Sequence, residues 1–265
     1  MTAIERKETF LSNILYTNMD AKLAVHLIFQ KYFNKVFHRT IAPKLDSFSD
    51  YFVTYDPNEV IMKLTGANVL LSSPYLREEF NLLTQVLNER YKNIILEYPS
   101  NFATELSTSY FLYSIVRILK PLNIVETGVA NGHSSYFILN ALLKNQSGIL
   151  HSFDVNKNVG KLITENEEKR WNLNILPLRR RKSVFRETIK KFENIDIFVH
   201  DSNHFYYWQI FEYRTAWKVL KDGGLLLSDD VDFSYAYLDY CKEVLIKSIF
   251  LNDGRKMFGA AIKGW

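Results

Sequence analysis

A chain of 265 residues with 47% hydrophobic and 23% charged residues has the balance of a globular protein able to bury a sizeable core, which excludes extensive disorder. Its single cysteine, Cys241, excludes an internal disulfide and a cysteine-based zinc ribbon, and fits a reducing, cytoplasmic setting. The formal net charge is +4, no apolar run approaches the roughly 20 residues of a membrane span, and the opening MTAIERKETF lacks the apolar block of a signal peptide, so secretion and a membrane partner are set aside.

The first hundred residues read as a mainly helical region. Leu23, Leu27, Ile28, Phe29, Phe33, Val36 and Phe37 recur at helical spacing behind the candidate cap Asp20. A second helix is expected over Pro74–Tyr91, with Ser73 as cap and Phe80, Leu83, Val86 and Leu87 as its apolar stripe. The aromatic stretch Leu45–Asn68, broken by Pro57 and Gly66, is left unassigned. Pro99-Ser100-Asn101 marks the boundary between residues 1–100 and a second unit over 101–265.

Beyond that boundary helices and strands alternate. Thr104–Leu119 reads as a helix stopped by Pro121, followed by the strand Asn123–Thr127, a glycine turn and the helix Ser134–Leu143. The pattern continues with strand Gly148–Asp154, helix Val159–Trp171, strand Leu173–Leu178, helix Val184–Phe192, strand Ile195–His200, helix Tyr206–Leu220 and strand Leu225–Ser228. Ser248–Leu251 and Lys256–Ile262 flank Asn252-Asp253-Gly254 as a hairpin. Apolar strands alternating with helices imply an α/β fold with a parallel sheet covered on both faces, and the hairpin adds an antiparallel strand at its end.

The glycine turn carries the first functional signal. Glu126-Thr127-Gly128-Val129-Ala130-Asn131-Gly132-His133-Ser134 leaves a strand and opens a helix, where small residues let a ligand approach the backbone and free N–H groups. Asp154 ends the next strand, where a ribose-binding carboxylate belongs in nucleotide-type α/β folds. A dinucleotide site calls for GxGxxG; here the spacing is Glu-x-Gly-x-x-x-Gly-x-Ser, and Glu126 suits the ammonium of an amino-acid moiety better than a pyrophosphate.

With these residues the chain resembles class I S-adenosylmethionine-dependent methyltransferases, and most closely the metal-dependent O-methyltransferases of the macrocin and catechol types, from about residue 104 to 265. The resemblance implies a Rossmann-like sheet of order 3-2-1-4-5-7-6 with strand 7 antiparallel. It implies that Glu126 lies near the methionine end of S-adenosylmethionine, that Gly128, Ala130 and Gly132 wrap it, and that Ser134 holds its carboxylate. Asp154 would bind the ribose and Ser183 approach the adenine, although Lys182 departs from the Asp or small residue of many relatives.

Three carboxylates give the second signal. Asp201 follows the fourth strand, and Asp229 and Asp230 follow the fifth. Converging like charges call for a cation, and oxygen ligands suit Mg²⁺ or a similar divalent ion; alone, such aspartates are more often helix or turn caps. The macrocin-type relatives use the matching positions for Mg²⁺. His204, three residues after Asp201, matches their base and would take a proton from an acceptor hydroxyl. The expectation is methyl transfer to a hydroxyl of a sugar or natural-product small molecule, with His204 and Asp201 catalytic.

Other readings compete. Arg179-Arg180-Arg181-Lys182 with Arg186, Lys190 and Lys191 would suit RNA, but a net charge of +4 is modest, so nucleic acid is disfavoured against a solvated basic face. A metal-independent methyltransferase and a non-catalytic scaffold of the same fold stay open, and residues 1–100 are expected to cover the active site, contact substrate or form a homo-oligomer interface. His200, His133, His26 and His38 read mainly as packing or surface residues, the aromatic run Phe205–Trp217 as core, and Tyr235 and Tyr237 as substrate contacts at even weight.

Overall fold

The computed structural model describes residues 42–66 and 73–265. The helix expected behind Asp20, together with His26 and His38, lies outside the described residues.

Eight strands form one sheet in the order β1-β7-β8-β6-β5-β2-β3-β4. They are β1 (Phe52–Thr54), β2 (Asn123–Thr127), β3 (Ile149–Asp154), β4 (Trp171–Ile175), β5 (Ile195–His200), β6 (Leu220–Ser228), β7 (Ser248–Asn252) and β8 (Met257–Ile262). Only β8 is antiparallel to its neighbours, pairing Ser228 with Gly259 on one side and Phe250 with Gly259 on the other. Counting from β2, this is the order 3-2-1-4-5-7-6 expected from the resemblance. The addition is β1, which pairs parallel with β7 at the outer edge, Val53 against Phe250.

The described α-helices are α1 (Pro57–Thr65), α2 (Ser73–Asn93), α3 (Leu106–Leu119), α4 (His133–Asn145), α5 (Glu165–Glu168), α6 (Arg181–Ile189), α7 (Tyr206–Ala216) and α8 (Ala236–Glu243). Alternation along the strands divides the core between the two sheet faces. Ile124, Ile197, Val199, Leu225 and Leu227 pack with α1 to α4, whereas Val125, Phe198 and Leu226 pack with α6, α7 and α8.

The breakers in the unassigned stretch turn out to be the two ends of α1. Asp56 caps it by accepting the Asn58 N–H at 2.9 Å, Pro57 takes the first helical position, and Gly66 ends it at φ 64°. Its buried Val60, Ile61 and Leu64 join the main core, and α2 is clamped by Arg90, which donates to both Glu167 oxygens at 3.0 and 3.1 Å. The expected helix Val159–Trp171 shrinks to α5. Gly160 at φ 74° packs against the Trp171 ring, and Thr164 with Glu167 forms a capping box that starts the helix late. Trp171 itself opens β4, two residues before the expected strand start.

Candidate active site

The site forms where β2, β3, β5 and β6 end on one edge. Each strand end is hooked to the next by backbone: the Asp201 N–H donates to the Thr127 carbonyl and the Asp229 N–H to the His200 carbonyl, both at 2.8 Å. These bonds bring the glycine turn, Asp201 and the Asp229-Asp230 pair into one row.

In the turn, Gly128, Ala130 and Gly132 all adopt positive φ, at 84°, 47° and 92°. Gly128 has no room for a side chain: a Cβ would stand 2.6 Å from the Asp201 carbonyl carbon and 2.8 Å from Ser202 Cα. Asp154, at the end of β3, accepts the Val129 and Asn156 N–H groups, each at 2.9 Å, so the acid and the turn are one assembly. Burial pushes the Asp154 carboxyl up, and the N–H donors work against that shift.

Glu126 sits behind the turn, fully buried, and accepts hydroxyl bonds from Ser134 at 2.7 Å, Ser135 at 2.6 Å and Ser152 at 2.8 Å. Burial raises its pKa while the serines oppose the rise. The Ser134 hydroxyl is therefore spent on Glu126. Ser183 lies in the first turn of α6 and donates to the Arg180 carbonyl at 3.0 Å.

Residues not singled out from the sequence fix the turn: Asn131 within it, and Glu97, Tyr98 and Asn156 around it. Asn131 Oδ1 accepts the Glu97 and Tyr98 N–H groups, both at 3.1 Å, and Nδ2 donates to the Tyr98 carbonyl at 2.7 Å. Asn156 Nδ2 donates to Tyr98 Oη and to Glu97, each at 3.1 Å. The segment before the sequence boundary is thus bolted to the cofactor-type turn.

At the carboxylate end, His204 Nε2 stands 3.3 Å from Asp230 Oδ2 and 3.8 Å from Asp201 Oδ1. Burial lowers the His204 pKa to about 4, against the opposing pull of Asp230, so the imidazole is neutral near pH 7. Asp230 takes φ 48°, which a short polar side chain tolerates. Burial, followed by the Asp229 charge, raises Asp201 well above the usual carboxylate range. Behind them, His200 Nδ1 and Glu212 Oε2 lie 2.6 Å apart, and Thr127 donates to the same oxygen at 2.7 Å. His200 is therefore a buried supporting residue.

Lys256 is the residue the sequence reading missed here. Its side chain is buried, its Nζ pairs with Asp229 Oδ2, and it lies 3.7 Å from Asp230 Oδ2. The signal was available in the hairpin: β8 runs antiparallel to β6, so residues entering β8 lie beside those leaving β6.

Other expectations are corrected or narrowed. Tyr237 is fully buried and bonds Ser248 at 3.1 Å, so it is a core residue with no path to a substrate. His133 shares a 2.9 Å hydrogen bond with Tyr91 of α2. In the basic run, Arg181 lies over the Trp208 ring at 4.4 Å, and Lys182 and Arg186 over Phe211 at 5.0 and 5.5 Å. Those cations cover aromatic faces of α7.

Comparison with known proteins bears on the fold. Residues 125–231 match the model of a methyltransferase domain. The fold is that of a class I methyltransferase. An O-methyltransferase from Bacillus cereus, solved in complex with S-adenosylhomocysteine, is similar at 15% identity and a TM-score of 0.53, covering 68% of this chain and 90% of that one. The O-methyltransferase TomG from Streptomyces achromogenes, involved in tomaymycin synthesis and solved with S-adenosylmethionine, aligns at 13% identity and a TM-score of 0.51 over 69% and 89% of the two chains. The S-adenosylhomocysteine-bound methyltransferase PaMTH1 of Podospora anserina gives 14%, 0.52, 69% and 88%. No curated protein matches at the sequence level. Among the described residues, no helix is long and apolar enough to cross a membrane.

The divalent metal implied by the resemblance does not fit the donor set as it stands. An ammonium group already lies among the carboxylates, and no group of three or more His, Cys, Asp or Glu side chains among the described residues is disposed to hold a metal ion.

Proposed function

We propose that the protein transfers the methyl group of S-adenosylmethionine to a hydroxyl of a small molecule, a sugar or natural product. One observation carries the reading: a neutral His204 imidazole faces carboxylates on the strand edge that also holds the Gly128 turn and Asp154. The methyl donor supplies an electrophilic carbon on a sulfonium, and the chain supplies position and proton transfer.

Positive-φ backbone at Gly128, Ala130 and Gly132 lets the donor approach the turn closely. Asp154 gives the ribose a carboxylate acceptor, and the buried Glu126 fixes the start of α4 through its serines. His204 Nε2 takes the acceptor's proton as its oxygen attacks in line, and Asp230 then balances the imidazolium. Within the carboxylate cluster it is Lys256 that balances Asp229 and Asp230. Residues 94–102 and α2, joined to the turn through Asn131 and His133, cover the donor side.

The test uses labelled S-adenosylmethionine with panels of sugars, phenols and RNA, on the wild type and on His204→Ala. Label in a hydroxylated small molecule, lost in His204→Ala while S-adenosylhomocysteine still binds, is expected. Label in RNA alone, or undiminished transfer by the variant, would overturn the reading.

A further inference from the structure

The two carboxylates that follow β6, Asp229 and Asp230, already share a cation, and it belongs to the chain. Lys256 is 5% exposed. A buried lysine without carboxylate partners would be strongly disfavoured, and here it has Asp229 Oδ2 and Asp230 Oδ2. Asp229 is itself fully buried, so its partner comes from inside the fold.

The backbone around Lys256 is pinned on both sides. Asp253 Oδ1 accepts the N–H groups of Arg255 and Lys256 at 3.1 and 3.0 Å, and Thr108 donates to Asp253 Oδ2 at 3.0 Å. The next residue, Met257, accepts the Val231 N–H at 3.0 Å and donates its own to Asp232 Oδ1 at 3.2 Å. The hairpin that closes the sheet therefore fixes the point from which the lysine side chain reaches the carboxylates. Mg²⁺ requires a near-octahedral oxygen shell, and here one carboxylate oxygen is already engaged by a cation fixed beside it.

We propose that Lys256 is the resident cation of the Asp201/Asp229/Asp230 cluster, holding the place of a divalent metal.

The experiment titrates Mn²⁺, followed by electron paramagnetic resonance, into EDTA-dialysed full-length wild type, Lys256→Met and Lys256→Met/Asp230→Asn. The wild type is expected to leave the free Mn²⁺ signal unchanged. Lys256→Met is expected to take up a single ion, its affinity raised by roughly a hundredfold or more once the fixed positive charge is gone. The double variant loses that uptake. Stoichiometric binding by the wild type, abolished by Asp230→Asn, would overturn the proposal, as would a folded Lys256→Met that binds no Mn²⁺. If Lys256→Met does not fold, the wild type decides: no Mn²⁺ uptake with EDTA-insensitive S-adenosylhomocysteine binding supports the proposal, and Mn²⁺ uptake overturns it.

Discussion

Replacing Gly128 with alanine tests the geometry of the turn most sharply. The new Cβ would lie 2.6 Å from the Asp201 carbonyl carbon, 2.8 Å from Ser202 Cα and closer still to the Asp201 oxygen, all of them backbone atoms. No side-chain rotation relieves such contacts, so β2 and the end of β5 must part. A residue with a Cβ at this positive φ costs about 1–2 kcal/mol, and forced separation in a packed interior about 1–3 kcal/mol more. The expected loss is therefore ~2–5 kcal/mol, which lowers the melting temperature by ~5–20 °C in a protein of this size. Gly254→Ala is the control, because it shares positive φ (90°) but has no described atom within 4 Å of the added carbon. That variant should lose only the conformational part, ~1–2 kcal/mol. Thermal unfolding of both variants, with S-adenosylhomocysteine titration, separates clash from strain. If Gly128→Ala melts no lower than Gly254→Ala and binds the ligand as the wild type does, the close approach of turn and Asp201 is wrong.

Asn131→Ala removes three bonds to the Glu97-Tyr98 segment and should cost ~2–3 kcal/mol by chemical denaturation, with weaker S-adenosylhomocysteine binding; an unchanged affinity would detach that segment from the site. Glu126→Gln places an amide against three serine donors and should cost ~1–3 kcal/mol, read as a lower denaturation midpoint at unchanged slope. Burial lowers the His133 pKa to about 4, against an ordinary 6.5. As pH falls from 6.5 towards 4, the unfolded chain takes up a proton that the folded chain refuses, so stability drops over that window by up to roughly 3 kcal/mol. His133→Gln should flatten that slope, and an unchanged acid profile would count against a buried neutral ring. His204→Ala should lower turnover by roughly 10²–10⁴-fold, with S-adenosylhomocysteine affinity held near the wild-type value.

What was legible in the sequence is what periodicity and punctuation encode. The succession of strands and helices along the chain beyond residue 104 and the glycine turn were readable because buried parallel strands and tight turns leave few residue choices, whereas the order of strands within the sheet came from the resemblance. The hairpin around Asn252-Asp253-Gly254 was equally visible. Strand β1 was not, because three residues at an edge carry no period. The helix expected over Val159–Trp171 was overextended because its apolar residues Val159 and Leu162 pack from a loop. The hydrogen bond between Glu126 and Ser134 was not legible either, since a list of site residues does not say which of them touch each other. Lys256 escaped notice for a related reason. Spacing along the chain associates Asp201 with His204, but only the β6–β8 register brings in a lysine from the hairpin.

The most direct measurement is calorimetric titration of S-adenosylhomocysteine into the full-length protein, repeated with NADH and, in each case, with and without EDTA. Micromolar binding of S-adenosylhomocysteine, indifferent to EDTA, with none of NADH, is the result predicted by the Gly128 turn, Asp154 and Lys256 together. Binding of NADH in its place, or of neither ligand, would contradict the methyltransferase account.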